Sequence, residues 1–236
     1  MEFDAKLYKS FFVLEMGRNQ YKLFPKGGNT SVYQEGNKRI FITDEIIDGN
    51  KLELKLLWET EKEIKSEEIG SSGEVITDIK SIKEVNKSLI WIYDDINPFI
   101  FVFTPKYTLI KEIQNILLRY FEIKTYTISF TNEFYHHLFN SNRIYEIQSA
   151  SFQTNDENLS SITISGSNIG LNDIYDNINQ QENRISEMTI IISNHSRVKI
   201  YRNSKIVIYN KPLKYEIFET ISDIRALLQD GGYTIE

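Results

Sequence analysis

At 236 residues, with 41% hydrophobic and 25% charged residues, the chain has a globular composition and enough length to bury a core without staples. It contains no cysteine, which excludes disulfides, thiolate nucleophiles, iron–sulfur clusters and cysteine-based zinc sites. The formal net charge of −6 does not favour polyanion binding by the chain as a whole.

The N-terminal stretch MEFDAKLYKSFFVLEMG carries acids from its second residue and only a short apolar run. It lacks the basic start and long apolar stretch of a signal peptide, and no segment approaches the roughly 20 apolar residues of a membrane span. A cytoplasmic location, no membrane contact and no cofactor are therefore expected. Abundant Ile, Lys and Asn point to an AT-rich genome, of bacterial or phage type.

Residues 1–97 read as an antiparallel, strand-rich region. Phe11–Met16 and Gln20–Phe24 flank Gly17-Arg18-Asn19, a hairpin signal, and Pro25-Lys26-Gly27-Gly28-Asn29 breaks the pattern. Ser31–Glu35 and Arg39–Ile47 follow around Gly36-Asn37. A three-residue loop at Asp48-Gly49-Asn50 sets Ile46 against Leu52, Ile42 against Leu56 and Ile40 against Trp58. The opposite face then pairs Glu45 with Glu53 and Thr43 with Lys55. A register one residue away mixes apolar and polar faces. Glu59–Glu68 reads as an acidic run ending in a linker-like Ile69-Gly70-Ser71-Ser72-Gly73. Strands resume at Glu74–Ile82, Ser88–Tyr93 and Phe99–Thr104.

Residues 98–236 read as an α+β domain. Leu109, Ile110, Ile113, Ile116, Leu117 and Tyr120 share one helical face, and Ile217, Ile221, Ile224 and Leu228 share another. Between them the expected order is strand Thr125–Phe130, helix Asn132–Asn140, strands Arg143–Gln153 and Leu159–Ser165, helix Asn172–Gln180 and strand Glu187–Ser193. That is the βαββαβ order of a ferredoxin-like, helix-backed sheet, extended by a hairpin (Val198–Tyr201 with Lys205–Tyr209) and a final helix. RNA-binding modules of this order stack bases on aromatics of the central strands. Ser160-Ser161-Ile162-Thr163-Ile164 carries none, so that family is not supported.

Charge is distributed unevenly. Met188–Tyr215 has no acid and six cations, whereas Asp44–Asp78 holds eleven acids and four lysines. On the expected hairpin Arg197, Lys199 and Tyr201 share the face away from the core, with Arg202 and Lys205 at the turn. A basic, aromatic ribbon of this kind can contact phosphates or an acidic protein. The same cations can equally blunt an edge strand or pair with the acidic tract. The leading expectation is a non-enzymatic binding or accessory protein that uses this hairpin on nucleic acid or an acidic partner. One alternative is an inhibitor or immunity-type protein that uses Glu59–Glu68 on a basic partner. Another is a metal-dependent hydrolase or nuclease built on Glu45, Glu53 and Lys55, an acidic cluster beside a lysine. Against this last reading stands exposed charge alternation, the ordinary state of a one-sided sheet. Three histidines, two of them adjacent (His136 and His137), make no metal-ligand spacing. The glycines make no phosphate loop.

Overall fold

The structure, a computed structural model, describes residues 8–17, 30–36, 38–47, 51–93, 99–154, 159–167, 169, 183–209, 214–230 and 232–235, with the backbone alone at 44–47, 214 and 230. In chain order the strands are β1 Ser10–Met16, β2 Thr30–Glu35, β3 Lys38–Ile47, β4 Lys51–Ile69, β5 Val75–Tyr93 and β6 Phe99–Phe103. After a single 3-10 turn at Tyr107–Leu109 come α1 Ile110–Phe121, β7 Thr125–Phe130, α2 Asn132–Asn140, β8 Ile144–Gln153 and β9 Ser161–Ser165. The remainder is β10 Arg184–Ile192, β11 Arg197–Tyr201, β12 Lys205–Ile208, α3 Lys214–Asp230 and β13 Tyr233–Ile235.

Strand accounts for 58% and helix for 24%, in one 13-stranded sheet with three α-helices among the described residues. The main order is β2-β3-β4-β5-β6-β1-β12-β11-β10-β8-β9, with β7 joining β1 to β13. Strand β1 is the branch point. One edge pairs β6 along Phe11–Glu15; the other is shared between β12 at Ser10–Phe12 and β7 at Leu14–Met16.

This arrangement overturns the expected ferredoxin-like order. A βαβ unit needs parallel strands joined by a crossover, and every pairing observed is antiparallel. Thr125–Phe130 leaves the second half of the supposed motif altogether and pairs with β1 and β13. Helices α1 and α2 lie over the sheet between strands that never pair in parallel. The expected strand Gln20–Phe24 and helix Asn172–Gln180 lie outside the described residues.

Burial explains the composition of the central strands. Phe11, Phe12, Val13 and Leu14 are all buried, as are all five residues of β6. Consecutive positions of a strand point to opposite faces, so both faces must be covered. On one face α1 lays Ile110, Ile113, Ile116 and Leu117 over Leu54, Leu56, Ile90 and Val102. On the other, α2 and α3 cover Trp91, Phe101, Met188, Ile200 and Ile206 with Phe134, Leu138, Ile217, Ile221 and Leu228. Thr131 caps α2, its hydroxyl accepting from the Phe134 N–H at 3.4 Å.

The β3–β4 pairing has the expected register: Ile40 faces Trp58, Ile42 faces Leu56, Thr43 faces Lys55 and Glu45 faces Glu53. The next segment differs from expectation. Glu59–Glu68 continues β4, and Gly70–Gly73 is a turn rather than a linker. The Gly70 N–H bonds the Glu74 carbonyl at 2.8 Å, and Gly73 takes φ +85°, which a side chain would strain. Strands β4 and β5 thus form one hairpin, 19 residues on each side.

Candidate functional site

Glu53 and Lys55 do not lie on a solvated face. Glu53 is 1% exposed and Lys51, two residues before it on the same face, is 2% exposed. Helix α3 covers them: the Lys51 ammonium lies 3.3 Å from the Phe218 ring centroid and 4.0 Å from that of Trp91. The Trp91 indole stacks on Phe218 at 4.7 Å and donates to the Glu53 carboxylate at 2.8 Å. Lys55 ion-pairs with the same carboxylate at 3.3 Å. Burial and the nearby Glu53 charge push the Tyr8 phenol up from its ordinary value, against the pull of Lys55. Both Glu53 contacts are spent inside the fold, so the arrangement is a satisfied buried pair. The Glu45 side chain lies outside the described residues; its backbone pairs with Glu53. No group of three His, Asp or Glu able to hold a metal occurs among the described residues.

The basic hairpin has its expected facing, with Val198, Ile200, Ile206 and Ile208 buried. Its cations have different partners. The Arg197 guanidinium lies 5.2 Å from the Tyr209 ring, and Lys205 lies 5.9 Å from the Tyr201 ring. Lys199 sits 5.0 Å from Tyr201 and ion-pairs with Glu187 across the β10–β11 ladder at 2.6 Å. Burial works to lower the Lys199 pKa, yet its bond to Glu187 and the attraction of that charge hold it above the ordinary value. Arg202 belongs to a structural lock. It donates to the Asn132 side-chain oxygen at 3.0 Å and to the Ile185 carbonyl at 2.7 Å. The outward basic surface is therefore Arg197, Lys199 and Lys205 with Tyr201 and Tyr209.

The most exposed element is the outer part of the β4–β5 hairpin. Pairing with β3 ends at Trp58 and pairing with β6 begins at Leu89. Beyond those points the two strands pair only with each other among the described residues. From Glu61 to Ile69 and from Val75 to Lys83 every residue is exposed, and so are seven large apolar side chains: Ile64, Ile69, Val75, Ile76, Ile79, Ile82 and Val85. Between Glu59 and Val85 there are eight acids and four lysines. At the root of this ribbon Glu59 binds Arg39 at 2.9 Å and Lys83 at 3.6 Å. Next to it an open cleft of about 230 Å³ is lined by Glu35, Trp58, Glu112, Arg119 and Tyr120. Two of its carboxylates are engaged: Trp58 donates to Glu112 at 2.6 Å, and Arg119 and Tyr120 both donate to Glu35. Those two bonds hold the Glu35 carboxyl below its ordinary range.

The sequence contained a signal for this ribbon. Ile76, Ile79, Ile82 and Val85 recur every third residue, a spacing that fits neither face of a strand. No Gly or Pro interrupts Lys51–Ile69 either, so nothing ends that strand at the last core residue.

His195 sits in a turn at φ 61° beside Tyr145. Burial pushes the half-buried His136 imidazole below its ordinary value. The unfolded chain therefore binds a proton there more readily than the native chain. Stability from this group is complete above the ordinary histidine value and is lost as pH falls toward the folded value. The urea midpoint should drop between about pH 7 and pH 5, and the drop should be shallower in His136→Gln. Parallel profiles for the two proteins would contradict the assignment.

No helix among the described residues is long and apolar enough to cross a membrane. No protein-family model matches the chain, and a search of curated proteins finds no match.

Proposed function

We propose that this chain is a non-enzymatic binding protein whose contact element is the ribbon Glu59–Val85, presented to a partner with a basic surface. One observation carries this reading: a long two-stranded ribbon extends past the core without further strand pairing among the described residues, with seven exposed apolar side chains and an acidic balance. An isolated two-stranded ribbon is marginally stable in water, and exposed apolar residues on an open edge are suited to association. Its acids, concentrated on β4, favour approach by a positively charged surface.

A second reading has its own support. The cation–aromatic pairs Arg197/Tyr209 and Lys205/Tyr201 give the β11–β12 face both charge and stacking groups for an acidic polymer.

Fluorescence anisotropy with two probes separates them. Labelled decalysine should bind wild type with steep salt dependence and should lose at least about tenfold in affinity in Glu61→Gln/Glu63→Gln/Glu67→Gln/Glu68→Gln. Labelled duplex DNA should bind only under the second reading, and Arg197→Glu/Lys205→Glu should abolish that binding. DNA binding with no decalysine binding would reverse the order of the two. Binding of neither probe would remove both.

A further inference from the structure

The two edges of the ribbon differ. From Glu61 to Ile69 β4 carries four glutamates and two lysines, whereas β5 from Val75 to Lys83 carries only Asp78, Lys80 and Lys83 among Val75, Ile76, Ile79 and Ile82. We infer that the β5 edge joins two copies of this chain: β5 of each pairs antiparallel with β5 of the other, about a two-fold axis at Ile79. The inference rests on the ribbon being a contact element, as proposed above.

The free length sets the position of the axis. Leu89 is already paired with Phe103, and the segment after β6 returns to Glu84, where the Lys106 ammonium ion-pairs at 3.1 Å. At the other end β5 begins at Val75, beside the turn. Among the described residues the stretch of β5 that pairs with β4 alone therefore runs from Val75 to Lys83, and its midpoint is Ile79.

The side chains select the same point. In a two-fold antiparallel pair each residue faces its mirror about the axis, and directly opposed side chains share a face. With the axis at Ile79, that residue meets its own copy. Asp78 meets Lys80 twice, Thr77 meets Ser81 twice and Ile76 meets Ile82 twice. Moving the axis by one residue sets Lys80 on Lys80 or Asp78 on Asp78. An axis at Ile82 is also complementary in charge, but it carries Val75 opposite Leu89, whose edge Phe103 occupies. On β4 an axis at Ile64 opposes Glu61 with Glu67, and one at Ser66, though it opposes Lys65 with Glu67, sets Ile64 on Glu68 and Ile69 on Glu63. Only the Ile79 register uses the whole stretch from Val75 to Lys83, opposes unlike charges and also sets apolar residues on apolar ones.

In the single chain Asp78 and Lys80 pair with each other at 2.9 Å; in the dimer each exchanges that neighbour for the other copy's. Ile76, Ile79 and Ile82, now 52%, 55% and 42% exposed, become cross-strand pairs. The product is a continuous four-stranded ribbon between two bodies, leaving the acidic β4 edges outermost and available.

The test is sedimentation velocity of the full chain over a wide concentration range. Wild type should approach twice 27.7 kDa. Ile79→Lys, Asp78→Lys and Lys80→Asp should each weaken dimerisation by roughly tenfold or more, since each opposes like charges or buries a lysine at the axis. The swapped double variant Asp78→Lys/Lys80→Asp should dimerise again, and the two single variants mixed together should form a heterodimer. Thermal midpoints should not move at concentrations where wild type is itself monomeric, because these residues lie outside both cores. A wild type that stays monomeric, a dimer indifferent to Ile79→Lys, or a swap that fails to restore association would each overturn the inference. Decalysine binding that persists in a monomeric wild type would leave the contact reading standing and remove the dimer alone.

Discussion

Trp91→Ala is expected to lower the unfolding free energy by about 3–5 kcal/mol, seen as a lower urea midpoint at unchanged slope. Trp91 is fully buried and stands where three elements meet. Its ring stacks on Phe218 of α3, contacts Phe103 of β6 at 4.7 Å and lies under the Lys51 ammonium. Truncation leaves a cavity the size of an indole and removes contacts on every side. It also takes a hydrogen bond from Glu53, a carboxylate with almost no access to water, and a buried charge that loses a partner is costly. Trp91→Phe separates these contributions. It keeps most of the ring stacking and loses the indole donor, so it should cost about 1–3 kcal/mol. A cost near zero for Trp91→Phe would show that the donor contributes little; a cost below about 1 kcal/mol for Trp91→Ala would contradict the packing described here.

Arg202→Ala should cost about 2–3 kcal/mol, within the range for losing charge-assisted hydrogen bonds in a partly buried setting. The guanidinium joins the N-terminus of α2, through Asn132, to the start of β10, through the Ile185 carbonyl. Asn132 completes the lock by accepting from the Ile185 N–H at 3.1 Å and donating to the Asn183 carbonyl at 3.0 Å. Asn132→Ala should therefore be similarly harmful. The double variant should cost less than the sum of the two single ones, because both cut the same network. By contrast Lys199→Ala should change stability by less than about 1 kcal/mol, since its pair with Glu187 lies at the surface. Chemical denaturation of the four variants measures these differences, and additive losses at Arg202 and Asn132 would argue against a shared network. The same measurement protects binding experiments, because a charge reversal at Arg202 would perturb the fold and imitate the loss of a contact.

The individual strands and helices were largely legible in the sequence, and their assembly was not. Helices α1 and α3 announced themselves by apolar residues at three- and four-residue spacing. The register of β3 on β4 followed from keeping two faces distinct. Which faces were covered could not be read the same way. The alternation Lys51, Glu53, Lys55 looks like a wet face, and only the arrival of Phe218 from a helix more than 150 residues later makes it an interior. Arg202 looked like a member of the basic face because it sits in the right turn, but hydrogen-bond partners on α2 and β10 claim it. The βαββαβ order misled for a similar reason. Element order constrains pairing only when neighbours in sequence are neighbours in the sheet, and here β7 turns away to β1 and β13. The ribbon was misread because Gly and Ser at its tip resemble a linker as much as a turn.

The position of β1 has a kinetic consequence. Phe11 takes its place between Phe103 and Ile206, so the central strand of the sheet is made before either of these neighbours and gains the second only after most of the other strands exist. During translation one edge of its Ser10–Phe12 stretch must wait, apolar and unpaired, until β12 has emerged. Closure over so long a stretch is entropically slow, and a waiting apolar strand is a target for misassembly and for chaperones. Refolding from denaturant should then be limited by capture of β1, with the local hairpin β4–β5 and the helices forming well before it.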